Sequence, residues 1–578
     1  MTAPIAVPAA RRPRLLFPSI VGYDRSWLRS DLIAGLTVWA VLVPEALAYA
    51  SIAGVSPVVG LYAAPPALVL YAAFGSSRHL VVGPMSATAA LSAAAVADLT
   101  TGGPDDVLAF TGVLAIVTGI LALAAGILRL GFLANFISEP VLKGFIIGLA
   151  LTIIVGQVPK LLGIEKTDGD FFEQAWGVIR HLGDTQARTL AIGALSLAVV
   201  LGLRRYVPAV PGSLVAVIIG VIAVQLFDLD DHGVAIVGPI DSGLPLLGLP
   251  DDVAANDYLR AAGAAAGLML VGFAEGLGAA KTYAARAHYE VDANRELLGL
   301  GAANMGSGLS SGMVVNGSLS KTAVNGSAGA RSQVSGLAVA VLTIVTLLFL
   351  TSLFENLPEA TLAAVVIAAV IELVDIDALR GFYGLYSRQL GRIYGHAARA
   401  DFIAAVAAMV GVLVFDTLPG LVIGIIVSLL LLLYRASRPH VAELGRVVGT
   451  ATQFGDVERH PENRTDPDVV VLRVEAGLFF ANADTVRAAI RARALAPGTL
   501  GVVVDAEAVA FVDVTAVRML EELAGDLRRS GRHLVVAHDL GQVGDLLPDD
   551  AHAELVVVPT IDDAIAAVRA AATASPGG

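Results

Sequence analysis

Long apolar stretches follow one another from about Asp31 to about Tyr434 and form the dominant pattern of the chain. Examples are Val107–Leu128, Leu190–Leu203 and Leu337–Leu353. Most of them approach the roughly 20 residues that a membrane-spanning helix requires. The pattern predicts about fourteen helical segments, which begin near residues 31, 57, 84, 107, 137, 188, 209, 258, 294, 319, 333, 360, 400 and 418. The segments near 84 and 319 are short.

The pattern changes after Pro439 to that of a soluble domain. Strand-like runs at Val469–Val474, Leu500–Val504 and His533–Ala537 alternate with helical patterns at Ala483–Ala494 and Thr515–Arg529. Short strands that alternate with amphipathic helices predict a small α/β domain.

These patterns together predict four parts of the chain. We expect an N-terminal segment at 1–30, a transmembrane domain at 31–436 with repeats at about 31–227 and 258–436, a soluble domain at 441–570, and a disordered tail at 571–578.

Composition places the chain in a membrane. Of its 578 residues 56% are hydrophobic and only 15% are charged, and the mean hydropathy is +0.75. A soluble protein carries about 25% charge. The net charge of -13 argues against nucleic-acid binding. Without cysteine there is no disulfide, thiolate metal site or catalytic thiol. No motif implies a metal or organic cofactor and none resembles a phosphate-binding Walker loop, so we expect no cofactor, no ATP-driven transport and no enzymatic activity.

Basic residues recur on one side of the predicted membrane, which places the N-terminus and the soluble domain in the cytoplasm of a multi-pass cell-membrane protein. They are Arg11, Arg12, Arg14, Arg25, Arg29, Arg78, Arg129, Arg204, Arg205, Lys281, Arg286, Arg331, Arg380, Arg388, Arg392, Arg399, Arg435 and Arg438. One loop, with Lys160, Lys166, Arg180 and Arg188, breaks this pattern. The acidic loop at 228–257 then lies outside.

The two halves of the membrane domain resemble each other. Val43–Leu47 matches Phe273–Leu277, with Glu45 and Glu275 at equivalent positions, and Gly83–Thr88 matches Gly317–Thr322. The paired elements are seven segments apart, and an odd offset reverses their direction across the membrane. The sequence therefore predicts inverted-topology repeats with a binding site at the membrane midplane.

The two short segments favour an anion site. A half-helix inside the membrane directs free N–H groups and the positive end of its dipole at a ligand, and Lys321 adds a formal charge. We predict a substrate site formed by the wall residue Tyr49 and by residues at the starts of the two half-helices. These are Met85, Ser86, Ala87, Gly317, Ser318, Leu319, Ser320 and Lys321.

Two acids lie within apolar spans and are candidates for coupling. An ionised carboxylate is costly inside a membrane, and a proton or a cation relieves that cost. Glu45 and Glu275 could therefore couple the uptake of an anion to that of a proton or a sodium ion. For Glu275 the alternative role of holding the core together stays open.

These residues resemble the sulfate permease (SulP) family of anion transporters over nearly the whole chain. The resemblance rests on Pro44–Ala50, Ser77–His79 before Gly83-Pro84, Asn294–Asn304, and Asn316–Asn325. After Pro439, Phe479–Ala483 and Asp505 followed by Val512–Ala516 are similar to a STAS domain.

The resemblance implies fourteen spans in a seven-plus-seven inverted repeat, with spans 1–4 and 8–11 as a core that moves against a gate, commonly as a homodimer. Animal members commonly have Gln at the position of Glu45 and Arg at that of Lys321. Glu45 is similar to prokaryotic members thought to couple to protons. Lys321 keeps the charge without the fork of a guanidinium.

Sequence and resemblance together predict a secondary active anion transporter that takes up sulfate with a proton by alternating access. Sodium-coupled bicarbonate and C4-dicarboxylates are competing substrates, whereas Lys321 argues against a neutral nucleobase. Two alternatives are a passive anion channel and a membrane-anchored anion-sensing scaffold. The scaffold would act through a cytoplasmic partner of the STAS domain.

Thr515 matches a position phosphorylated in some free-standing STAS proteins, but we favour an ordinary helix N-cap.

Overall fold

A computed structural model describes residues 16–100, 102–132, 138–167, 169–207, 210–240, 242–251, 253–371, 374–384, 399–415, 417–538 and 555–574. Five of the predicted cytoplasmic arginines, at 11, 12, 14, 388 and 392, lie outside these residues. The chain divides into two compact units, Met1–Phe382 with Asp401–Val427 and Tyr383–Ala400 with Ser428–Gly578.

Helices make up the first part of the chain, and each of the fourteen predicted segments corresponds to one of them. They are α1 (Leu28–Ile52), α2 (Val58–Phe74), α3 (Ser86–Leu99), α4 (Pro104–Ile127), α5 (Glu139–Leu162), the short amphipathic α6 (Phe171–Arg180), α7 (Ala187–Tyr206), α8 (Gly212–Phe227), α9 (Ala255–Arg286), α10 (Ala293–Leu309), α11 (Leu319–Ser327), α12 (Val334–Phe349), α13 (Glu359–Val370), α14 (Ile376–Gly384), α15 (Ala400–Phe415) and α16 (Thr417–Ala436).

Six helices of the described residues are long and apolar enough to cross a membrane, namely Arg25–Ile52, Pro104–Ile127, Glu139–Leu162, Ala187–Tyr206, Ala255–Arg286 and Pro419–Ala436. Six shorter apolar helices accompany them: α2, α3, α8, α12, α13 and α15. The predicted polytopic helical architecture is confirmed.

A two-stranded ribbon joins the two repeats inside the membrane unit. Strand β1 (Val81–Gly83) precedes α3, and strand β2 (Asn316–Ser318) precedes α11. The strands are antiparallel, with Val81 opposite Ser318 and Gly83 opposite Asn316. The extended backbone is satisfied partly by the paired strand and partly by side chains, since the amide of Val81 donates to the hydroxyl of Thr322 at 3.1 Å.

Helix α10 holds the ribbon in place. The side-chain amide of Asn304 donates to the carbonyl of Val315 at 2.9 Å, and its oxygen accepts from the amide of Val315 at 2.9 Å. Gly317 is required by close packing, because a Cβ there would lie 2.8 Å from a Leu80 methyl and 3.0 Å from the Cα of Gly276. Together these contacts fix the strand that leads into α11.

A buried carboxylate on α10 fixes the approach to β1. The hydroxyl of Tyr71 donates to one oxygen of Glu296 at 2.7 Å, and the backbone amides of Ser76 and Ser77 donate to the other at 2.8 and 3.0 Å. The hydroxyl of Ser76 adds a fourth bond at 2.7 Å. Because all of these donors are satisfied by one side chain, Glu296 determines how the chain leaves α2.

The second unit contains a six-stranded sheet with strand order β4-β3-β5-β6-β7-β8. Its strands are β3 (Val441–Arg446), β4 (Phe454–Asp456), β5 (Val469–Val474), β6 (Gly501–Asp505), β7 (His533–Ala537) and β8 (Val556–Val558). Strands β5 to β8 are parallel, and β3 is antiparallel to β4 and β5.

Helices α17 (Ala483–Ala494) and α18 (Val514–Arg529) cover one face of this sheet and α19 (Ile561–Ala574) covers the other. Successive residues of β6 alternate between the two cores: Val502 and Val504 belong to the core under α17 and α18, and Val503 belongs to the core under α19. The predicted α/β domain is confirmed. The predicted disordered tail is helical up to Ala574, and residues 575–578 lie outside the described part.

We predict that Glu296→Ala strongly destabilises the membrane unit. The substitution leaves Tyr71 and two backbone amides without their acceptor, at a cost of about 1–3 kcal/mol each. The thermal midpoint of the purified protein in detergent should fall well below that of the wild type. Glu290→Ala removes an exposed carboxylate six residues earlier and is the matched control. Equal midpoints for both variants would contradict the assigned role of Glu296.

Candidate anion site

The two half-helices begin at opposite ends of the β1–β2 ribbon. Ser86 is the first residue of α3 and follows the extended Met85. Leu319 is the first residue of α11, and its N-cap Ser318 accepts a hydrogen bond from the amide of Lys321 at 3.3 Å. Because the strands are antiparallel, the helices run in opposite directions from the ribbon. Both N-termini therefore direct their dipoles at the same region.

Lys321 connects the two helix N-termini. Its Nζ lies 2.8 Å from the carboxylate of Glu45 and donates to the carbonyl of Pro84, just before α3, at 3.1 Å. It also lies 5.0 Å from the centre of the Tyr49 ring, within cation–π range. Only 1% of the Lys321 side chain is exposed, against 9% for Glu45. The site is thus a buried ion pair with an aromatic wall.

Helix α1 presents both the acid and the ring to Lys321. Glu45 and Tyr49 are four residues apart and therefore lie one above the other on the same helix face. Pro44 lies inside this helix and has no N–H, so the carbonyl one turn earlier has no donor from it. The four-residue spacing of Glu45 and Tyr49 thus places a carboxylate and an aromatic ring on the side of α1 that contacts Lys321.

The other predicted site residues lie at or next to the starts of the two half-helices. Ser86, Ala87 and Ser318 are buried, and Gly317 is the ribbon residue before Ser318. The Met85 sulfur contacts the amide nitrogen of Asn316 at 3.8 Å.

Beyond Ser318 the start of α11 is open. Leu319 and Ser320 are exposed, and the hydroxyl of Ser320 lies 3.1 Å from that of Ser318. A solute that reaches Ser320 therefore stands beside the N-terminus of α11.

Glu275 lies on α9 and is not part of the ion pair. One of its oxygens, Oε2, is buried and has no hydrogen-bond partner among the described residues. The next residue, Gly276, packs against β2: a Cβ there would lie 3.1 Å from the side-chain oxygen of Asn316. Glu275 is therefore a second, unpaired acid next to the ribbon.

Thr515 lies in the other unit, in the first turn of α18. The N-cap of this helix is Asp513, whose side chain accepts from the amide of Ala516 at 2.8 Å. The expectation that Thr515 itself is the cap is wrong, because the helix starts one residue earlier than its apolar pattern suggests. Thr515 is exposed.

Sequence reasoning missed the direct pairing of Glu45 with Lys321 and the roles of Asn304, Glu296 and the Pro84 carbonyl. A signal for the pairing exists in the sequence. A lone acid and a lone base in apolar spans each carry a large desolvation cost, and pairing is the usual way to offset it. The backbone acceptor at Pro84 leaves no signal in the identity of the side chain.

Comparison with known proteins agrees with this geometry. Residues 28–390 match the sulfate permease family, and residues 460–556 match the STAS domain. A probable sulfate transporter of Mycobacterium tuberculosis is 36% identical, with 88% of this chain and 89% of that protein covered. Sulfate transporter 1.3 of Arabidopsis thaliana is 31% identical, over 89% of this chain and 80% of the relative.

Solved structures share the fold. The murine Solute Carrier 26 family member A9 anion transporter in the inward-facing state superposes with a TM-score of 0.84 at 21% identity, over 96% of this chain and 94% of the other. The transmembrane domain of a cyanobacterium bicarbonate transporter gives 0.60 at 24% identity, over 69% of this chain and 98% of the other.

The family match covers more than half of the chain, and the relatives are covered over most of their length. The helical membrane unit and the α/β unit are those that this family combines. The chain therefore belongs to the sulfate permease family and is an anion transporter with a C-terminal STAS domain.

Proposed function

We propose that this protein takes up sulfate together with a proton, as a secondary active transporter that alternates the access of one site between the two sides of the membrane. The observation that carries the proposal is the buried ion pair between Glu45 and Lys321 at the N-termini of two half-helices.

The pair couples the two ligands through charge. With Glu45 ionised, the positive charge of Lys321 is already neutralised, and an arriving anion would meet an adjacent carboxylate. When Glu45 binds a proton, Lys321 loses its counter-ion and leaves a net positive charge beside two positive helix ends. Anion binding and proton binding therefore favour each other, as thermodynamic linkage requires.

Burial makes this linkage strong. An unpaired charge in a low-dielectric region costs several kcal/mol, and Lys321 is almost fully buried. The protonated, anion-free site is therefore unfavourable, because it leaves Lys321 unpaired. The deprotonated, anion-bound site is also unfavourable, because Glu45 and the anion repel each other. The two favourable states are the empty ion pair and the site with both ligands bound.

Direct recognition of the anion would come from the starts of the helices. The backbone N–H groups of Ser86 and Ala87 on α3, and of Leu319 and Ser320 on α11, are free of intrahelical acceptors. The hydroxyls of Ser86, Ser318 and Ser320 add donors. Met85, Gly317 and the Tyr49 ring would shape the cavity.

Glu275 is the second coupling candidate. A carboxylate oxygen that is buried without a partner takes up a proton or a cation to avoid its desolvation cost. Sodium-coupled transport of bicarbonate or a C4-dicarboxylate is therefore the alternative within this fold. Sulfate ranks first because relatives at 36% and 31% identity carry that name.

The remaining features of the proposal concern organisation. We place the N-terminus and the STAS domain, about 441–570, in the cytoplasm, as the basic residues on that side indicate. The core of α1–α4 and α9–α12 would move against a gate of α5, α7, α8, α13, α15 and α16 in a homodimer. Removal of residues after about 440 tests the scaffold alternative: purified truncated protein that still transports contradicts it.

We predict that Glu45→Gln abolishes proton coupling. The amide keeps the shape of the carboxylic acid, cannot release a proton and leaves Lys321 permanently charged. In proteoliposomes the ratio of labelled sulfate uptake with and without an inward proton gradient should fall to about one. Glu275→Gln is the comparison variant, because it removes the second buried acid and leaves the ion pair of Glu45 with Lys321 intact. A ratio that stays at the wild-type value in Glu45→Gln would reject the coupling mechanism.

A neutral replacement of both partners separates stability from transport. Lys321→Met alone leaves Glu45 buried without a partner and should cost about 3–5 kcal/mol. Glu45→Gln combined with Lys321→Met removes both charges and should restore the thermal midpoint, while saturable sulfate uptake stays absent. Restored uptake in the double variant would show that Lys321 does not bind the anion.

Competition identifies the substrate. We expect unlabelled sulfate to suppress labelled sulfate uptake by the wild type, and bicarbonate, fumarate and uracil to compete weakly, because two half-helices and Lys321 favour a compact dianion. Uptake that fails to saturate would indicate a channel. Uptake that is driven by sodium and suppressed by bicarbonate or fumarate would move the assignment to that substrate.

A further inference from the structure

A second group of basic and aromatic side chains lines a cavity of about 350 Å³ in the membrane unit. We call this cavity the arginine pocket. Its walls include Trp27, Arg78, His79, Tyr289, Ala330 and Arg331. None of these residues takes part in the ion pair of the transport site.

The arginine pocket carries excess positive charge. Within the described residues, neither the Arg78 nor the Arg331 guanidinium has an acidic partner, and Arg78 lies 5.2 Å over the Tyr289 ring. The nearby acid Asp31 is fully buried, and it accepts hydrogen bonds from the backbone amide of Arg331 at 2.7 Å and the hydroxyl of Ser332 at 2.8 Å. Two exposed guanidinium groups are thus left to face a ligand.

Hydrogen bonds hold the walls of the pocket in place without a ligand. The hydroxyl of Tyr289 accepts from the amide of Arg78 and contacts Nδ1 of His79, both at 3.1 Å. The other ring nitrogen of His79 lies 3.0 Å from the carbonyl of Ala330. Since the chain segments that carry both arginines are fixed, a ligand would pay little ordering cost.

The position of the pocket indicates which anion it takes. Trp27 directly precedes α1, and tryptophan is enriched where a helix meets the membrane surface. Leu28, Leu32 and Leu36 follow at four-residue intervals and are 45 to 53% exposed, so they form an apolar stripe that begins beside the pocket. A basic pocket between spanning helices, next to such a stripe, matches the two parts of an anionic lipid.

We infer that the arginine pocket binds the phosphate of an anionic phospholipid headgroup, with the acyl chains along the Leu28, Leu32 and Leu36 stripe of α1. The shared ligand chemistry is a phosphate-type oxyanion, which a soluble phosphate ester could also supply. The inference rests on the proposed function only in assigning this side to the cytoplasmic leaflet, and it is independent of substrate and coupling.

Lipid in this pocket would act on the transport site through the chain. Arg78 lies three residues before β1, and Arg331 follows α11. The side-chain amide of Asn325 on α11 already donates to the carbonyl of His79 at 2.9 Å. A headgroup that bridges both arginines would add a second link between the segments that flank the two half-helices. Bound lipid should therefore stabilise the core and support turnover.

The test compares lipids and variants by thermal midpoint and by native mass spectrometry. Full-length protein in detergent is titrated with phosphatidylglycerol or with phosphatidylcholine. We expect phosphatidylglycerol alone to raise the midpoint of the wild type and to remain bound. In Arg78→Gln with Arg331→Gln its apparent affinity should fall roughly thirtyfold. Arg204→Gln with Arg205→Gln removes equal charge at the end of α7, outside the pocket, and should behave as wild type.

Soluble anions form the second arm. Glycerol 3-phosphate and inorganic phosphate are titrated into the Glu45→Gln, Lys321→Met variant, which has lost the charges of the transport site. A stabilisation that these anions produce, that depends on Arg78 and Arg331 and that phosphatidylglycerol does not produce would overturn the lipid assignment.

Equal lipid binding in the wild type and the Arg78→Gln, Arg331→Gln variant would overturn the site itself. Because the readout is binding rather than uptake, failure of the proposed transport mechanism leaves both outcomes interpretable.

Discussion

A buried lysine that must always have a negative partner is the constraint on which the rest of this structure depends. Lys321 lies at the start of a nine-residue half-helix with 1% of its side chain exposed. Among the residues that the structure describes its only charged partner is Glu45, because the carbonyl of Pro84 is a dipole rather than a charge. The neighbouring elements, the β1–β2 ribbon and helix α10, hold Lys321 beside this partner.

The position of Lys321 is set by the β1–β2 ribbon and by the side chains that support the ribbon. The antiparallel pairing of β1 with β2 sets the half-helices head to head, and Asn304 and Glu296 on α10 fix the chain on either side of it. None of these polar groups faces the ion pair, yet each is buried and satisfied. A displaced ribbon would separate Lys321 from Pro84 and Glu45. The distances within the ion pair therefore depend on the hydrogen bonds of Asn304 and Glu296, which do not contact the pair.

Much of this architecture can be predicted from the sequence. Apolar length and spacing locate fourteen of the described helices α1–α16, all but α6 and α14, and the match of Gly83–Thr88 with Gly317–Thr322 locates both half-helices. The sequence did not predict the helix start at Val514 or strands β3, β4 and β8, and the caps and the short edge strands β4 and β8 depend on tertiary contacts. The pairing of Glu45 with Lys321 could not be ranked above separate roles, because residues this far apart in sequence meet only through the ribbon register.

The separation of the two charges along the chain also matters while the protein is being made. Glu45 enters the membrane on the first helix, and Lys321 emerges from the ribosome 276 positions later, counted from 45 to 321. At about 5–20 residues per second this interval lasts roughly 15 to 55 seconds. Throughout it the first helix carries Glu45 without its partner Lys321, so the desolvation cost of this acid is not offset until the second repeat is inserted. The carboxylate that pairs with Lys321 in the folded protein is thus an uncompensated charge during biogenesis, until the two repeats meet.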